Sequence, residues 1–96
     1  MSERTAPALT KLDTLLPLLK AHPASDQQQK TLEETEALRR AVAAFHMEAI
    51  RFRMHAVDRG IKALGDDGAS RRAFEDVRQA LEAAGFHTRS HSAPGT

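Results

Sequence analysis

The chain has 96 residues and is 41% hydrophobic, but 17 residues are alanine and only 22 are large apolar side chains, four of them aromatic and all Phe. So small an apolar store excludes a large pocketed enzyme, and three Val with two Ile are too few for a β-sandwich or barrel. The absence of Cys removes disulfides, thiolate metal sites and cysteine nucleophiles, while a net charge of +1 sets up no strong field toward nucleic acid or a membrane.

The pattern predicts an all-α chain of three helices, short, long and short, in one domain over residues 1–86. The first helix covers about 7–21. Thr5 can cap it and Pro7 sits in the opening turn, where a missing N–H costs nothing. Leu9, Leu12, Leu16 and Leu19 form one stripe, widened by Leu15 and Leu18. Pro17 removes a backbone bond and predicts a kink or a break, and Pro23 closes the segment.

The second helix is predicted over 26–64. Ser25 with Gln28, or Thr31 with Glu34, offers a capping box, no proline follows, and Gly65 supplies the stop. Such a helix would be over 30 residues and about 50 Å long. It carries two heptad seams: Leu38, Val42, Phe45, Ala49, Phe52 and Ala56, and then Met47, Ile50, Met54, Val57, Ile61 and Leu64. At ~100° per residue, Phe45 and Ile50 point about 140° apart, so one helix would be sandwiched between partners.

The third helix is predicted over 69–84, after Gly65-Asp66-Asp67-Gly68, with Phe74, Val77, Leu81 and Ala84 on its apolar face. Gly85 followed by Phe86 reads as a Schellman end that packs Phe86 back onto Leu81. Residues 87–96 read as a flexible polar tail.

A central helix that outruns both neighbours leaves part of a seam uncovered, and an exposed apolar seam marks an interface. The expectation is a helical bundle completed by homodimerisation along the long helix. Leu38, Val42, Phe45, Met47, Ala49, Ile50, Phe52, Met54, Val57 and Ile61 would form the contact. Ala49 and Ala56 beside Phe45 and Phe52 would let backbones approach closely.

Charge is unevenly spread: net −2 over 1–38, +4 over 39–64 and −2 over 65–84. Arg39, His46, Arg51, Arg53, Arg59 and Lys62 are therefore candidate contacts for an anion or nucleic acid. The competing reading is internal pairing, with acidic outer helices answering the basic centre. Arg39, His46, Arg53 and Gly60 also repeat at seven-residue spacing, which would crowd cations at an interface unless a carboxylate or anion lay between them. Glu48, Arg51, His55, Asp58 and Lys62 make a mixed-sign line worth modest helical pairs.

No metal or cofactor is expected. His46 and His55 lie about 180° apart on a helix, and His87 and His91 fall in the tail. Ser2, Ser25, Ser70, Ser90 and Ser92 sit at caps or in the tails, and the five glycines form no phosphate-cradling loop. Gly60, costing ~1 kcal/mol against Ala within a helix, either admits a close helix or marks fraying.

These features point to a non-enzymatic α-helical oligomer, an adaptor or regulator working by protein–protein contact. The alternative is a dimeric nucleic-acid-binding regulator that uses the basic middle of the long helix. The chain shows no run of eighteen apolar residues, and its N-terminal residues lack the apolar core of a secretory signal, so no membrane partner is expected and the location reads as cytoplasmic. Ten Arg against four Lys, with abundant Ala, fits a GC-rich bacterial coding sequence.

Overall fold

The computed structural model describes residues 4–65 and 68–86, and among them four α-helices and no strand are found. These are α1 (Ala6–Lys20), α2 (Asp26–Ala43), α3 (Met47–Leu64) and α4 (Ala69–Ala83). The outer helices lie where the periodicity put them. The long central helix over 26–64 is corrected to two helices, because the chain turns back at Ala44, Phe45 and His46. Asp66, Asp67 and the tail expected over 87–96 lie outside the described residues.

The turn explains why the break is hidden from sequence reasoning. The Phe45 N–H donates to the Val42 carbonyl and the His46 N–H to the Ala41 carbonyl, each at 3.0 Å. This bond pair is a Schellman end, and it requires a left-handed residue that is usually glycine. Here that residue is Phe45, with φ 59°, at a backbone cost of about 1–2 kcal/mol. The Phe45 ring meets Phe86 edge to face at 5.1 Å, and the Arg4 guanidinium lies 5.5 Å over it. Aromatic pairs contribute about 0.5–1.5 kcal/mol beyond their buried area, enough to offset much of the strain. His46 then starts α3 as a cap: its Nδ1 accepts the Ala49 N–H at 3.3 Å. A Phe in the glycine position and a His in the Ser/Asp position leave no familiar punctuation.

Folding back turns the two seams toward each other. Leu38 and Val42 on α2, with Ile50, Met54, Val57 and Ile61 on α3, are at most 1% exposed and share one core with α1 and α4. The core that a second copy was expected to complete is thus filled within one chain.

Local chemistry sets the other boundaries. The Ser25 hydroxyl accepts the Gln28 N–H at 3.0 Å, which makes Ser25 the start of α2. The Gln28 amide donates to the Leu19 carbonyl at 3.2 Å, tying the end of α1 to that start. Thr31 lies inside α2, where its hydroxyl donates to the Gln27 carbonyl at 2.8 Å. Pro17 does not split α1. It is exposed in the last turn, where few ladder bonds remain to lose. Gly65 at φ 74° closes α3. Gly85 at φ 98° closes α4, and the Phe86 N–H donates to the Leu81 carbonyl at 2.9 Å. Phe86 is 2% exposed and joins the core, as its Schellman signature implies.

The helices follow one another through short links, and the reversal at Ala44, Phe45 and His46 lays α3 back along α2. The α2–α3 and α1–α4 pairs are the most extensive, α1 lies beside α2, and α3 and α4 touch least. The outer sides of α2 and α3 therefore remain free of any other described helix.

Candidate functional site

Where α2 and α3 cross, Gly60 meets Thr31. A Cβ added to Gly60 would lie 2.5 Å from the Thr31 Oγ1 and 3.0 Å from its Cγ2. Gly60 is therefore a close-approach residue rather than a point of fraying. Above this crossing runs an open groove of about 310 Å³, lined from α2 by Thr31 and Glu34 and from α3 by Phe52, Ala56, Arg59 and Ala63. Phe52 stands at its edge, 62% exposed. The Arg53 guanidinium lies 5.2 Å over the Phe52 ring and pairs with Glu34 at 2.8 Å, so the groove wall is held by an ion pair between the two helices.

The expected interface residues separate into two groups. Leu38, Val42, Ile50, Met54, Val57 and Ile61 are buried within the chain. Ala49 is half-buried, and Phe45, Met47 and Phe52 are exposed. Phe52 thus keeps an outward position on α3 with half-buried Ala56 beside it, Ala49 packs against the edge of the core, and Phe45 lies in the α2–α3 turn with Met47 just after it.

The basic residues are dispersed. Arg39 forms a two-pronged pair with Asp13 on α1, at 2.8 and 3.2 Å, and that hydrogen bonding holds the Asp13 carboxyl below its usual range. Arg53 is held by Glu34 and Lys62 lies 3.4 Å from Asp58. His46 is a helix cap. Arg51 and Arg59 are exposed. The seven-residue line through Arg39, His46, Arg53 and Gly60 does not survive, because the turn at Phe45 places its members on two helices. Of these pairs only Arg39–Asp13 joins the basic centre to an acidic residue of an outer helix; Glu34, which holds Arg53, lies on α2 within the span read as the central helix, and Arg71–Asp58 has the opposite polarity.

Asp58 supports the side where α3 and α4 touch least. Its carboxylate lies 2.6 Å from the Arg71 guanidinium on α4. Burial alone would raise the Asp58 carboxyl, but hydrogen bonding and charge from Arg71, with Lys62, outweigh it and keep it below its ordinary value. Arg71 also reaches Glu75 at 3.4 Å, and Glu75 binds Arg78 at 3.2 Å.

Among the described residues no group of three or more His, Cys, Asp or Glu is placed to hold a metal ion, and no helix is long and apolar enough to cross a membrane. Sequence reasoning singled out Phe52, Ala56, Arg59 and Gly60 but not the α2 side of the groove, Gln27, Lys30, Thr31 and Glu34. A signal was present: Thr31 and Thr35, four residues apart and buried on α2, are small polar residues in line with the core positions of that helix. Comparison with protein-family models, with curated proteins and with solved structures finds no significant match to this chain.

Proposed function

We propose that this chain is a small non-enzymatic α-helical homodimer that acts as an adaptor or regulator through protein–protein contact. The observation that supports this most is Phe52, 62% exposed beside a groove between two helices. Fully burying a Phe side chain is worth about 1.5–3 kcal/mol, and aromatic residues seated in pockets anchor interfaces. Phe45 and Met47, 44% and 42% exposed, add apolar surface at the turn. The Cys-free composition favours the cytosol as the place of action.

The nucleic-acid reading has weaker support. Arg39, Arg53 and Lys62 already face Asp13, Glu34 and Asp58, and the two exposed aromatics, Phe45 and Phe52, are not set in a row that would stack successive bases. Sedimentation equilibrium from about 1 to about 300 µM, a range suited to a weak dimer, tests the preferred reading. The expected apparent mass rises with concentration from the 10.5 kDa of one chain toward twice that value. A folded monomer throughout would contradict it.

A further inference from the structure

Resting on the homodimer reading, we infer that the dimer forms by antiparallel pairing of two α3 helices, with Phe52 of each copy entering the α2–α3 groove of the other. Three observations carry this.

The first is that one face holds both a projecting ring and a recess. Ala49, Phe52, Ala56, Gly60 and Ala63 fall within an arc of about 80° on α3, and the groove lies over Ala56, Gly60 and Ala63. A parallel two-fold would set Phe52 against Phe52. Only an antiparallel one brings each ring to the other copy's groove. Phe52 and Gly60 are eight residues apart, about 12 Å along the helix. Seating one ring at the level of the other copy's Gly60 therefore places the two-fold axis at Ala56.

The second is charge. In that register Glu48 comes level with Leu64 of the second copy and within two residues, about 3 Å, of its Lys62, on the same side of the contact, and the pair occurs twice by symmetry. The Lys62 side chain is 69% exposed and 3.4 Å from Asp58 of its own helix, so in the dimer it would be shared between Asp58 and Glu48 of the second copy. Arg59, for which no ion pair is found among the described residues, comes level with the ring of Phe52 from the second copy. The Arg53 at that height already carries Glu34 at 2.8 Å, so no uncompensated cations are opposed.

The third is area. Eighteen residues of α3 make a face about 27 Å long. With a width of roughly 15 Å, the two copies together bury about 800 Å², below the roughly 1,200 Å² at which stable interfaces begin. The dimer is accordingly a weak one.

The chain has no native Cys, so single cysteines report on this geometry directly. Ala56→Cys is expected to give a covalent dimer under mild oxidation, whereas Lys11→Cys and Asp76→Cys, exposed on α1 and α4, are expected to give little. Phe52→Ala is expected to weaken dimerisation about thirtyfold or more, as an anchor residue does, while leaving the helical circular dichroism unchanged. A wild-type dimer that persists in Phe52→Ala, with no preferential Ala56→Cys cross-link, overturns this geometry and leaves the homodimer reading standing. A monomer at every concentration overturns both.

Discussion

Phe74→Ala is expected to remove about 3–5 kcal/mol of folding stability, the cost of truncating a fully buried Phe. Phe74 is 0% exposed and is the bulkiest of the fully buried side chains. Two guanidinium groups lie over its ring, Arg71 at 5.5 Å and Arg78 at 5.2 Å. Losing the ring therefore opens a cavity and also removes a cation–π contact from each Arg, worth about 0.5–1 kcal/mol or more where water is excluded. Arg78 is only 9% exposed, so its charge then depends more heavily on Glu75. A chain of this size has a total stability of roughly 5–14 kcal/mol, so the variant should lose about a fifth of it or more. Urea unfolding followed by circular dichroism measures the effect. The comparison is Phe52→Ala at low micromolar concentration, where the exposed ring should change monomer stability by less than about 0.5 kcal/mol. Equal losses at the two positions would contradict the assignment of one Phe to the core and the other to the surface.

Gly60→Ala is expected to destabilise the chain by about 1–2 kcal/mol, against the usual direction of a glycine-to-alanine change in a helix. On α3 alone the substitution should gain ~1 kcal/mol of helix propensity. In the folded chain the new methyl would meet Thr31 at three atoms, Oγ1 at 2.5 Å, Cγ2 at 3.0 Å and Cβ at 3.1 Å. Rotating Thr31 cannot relieve this, because its Oγ1 is held by the Gln27 carbonyl at 2.8 Å and its Cβ cannot move without the backbone. The two helices must separate, and overpacking of that kind costs typically 1–3 kcal/mol. Thr31→Ala removes two of the three opposing atoms. The double variant should therefore recover stability relative to Gly60→Ala, with a coupling of about 1 kcal/mol or more in a double-mutant cycle. Additive effects would mean that the two residues do not touch. Midpoints of chemical unfolding for the four chains give the answer.

The legible and the hidden parts of this fold differ for physical reasons. Apolar spacing places α1, α4 and the large core side chains of α2 and α3 (Leu38, Val42, Ile50, Met54, Val57 and Ile61), because that spacing reports which side of a helix is buried whatever the helix packs on, but it passes over the small and polar buried positions Thr31, Thr35 and Ala41. Ser25, Gly65 and Gly85 mark ends through side chains that suit caps and left-handed turns. The turn at Phe45 escapes because its left-handed position is filled by a residue that normally avoids it. The strain is offset by Phe86 and Arg4, which are 41 positions away in each direction. No local reading sees such partners. The same omission shapes the view of function. Two seams 140° apart on one rod demand a partner on each side, whereas the same residues on two antiparallel helices satisfy each other. What remains for a partner is the outer part of one seam, Phe52 and Ala56, joined by Gly60 and Ala63 into a groove with α2. The charge reading divides likewise. The pairing of Arg39 with Asp13 and of Arg53 with Glu34 links basic and acidic blocks as composition implies, but which carboxylate meets which guanidinium depends on the fold-back.

Every statement about the outer face depends on that reversal at Phe45, and one distance measures it. Spin labels on cysteines replacing Lys30 and Ala63, both exposed, would lie about 50 Å apart on a continuous helix. In the hairpin they stand on neighbouring helices whose axes are about 8–10 Å apart, beside the Thr31–Gly60 contact. Pulsed dipolar spectroscopy, with excess unlabelled chain to suppress distances between copies, should give a single separation below about 25 Å, the helix spacing plus the reach of two labels. A distribution centred near 50 Å would show that α2 and α3 are one helix, and the groove, its Phe52 anchor and the antiparallel dimer would fall with it.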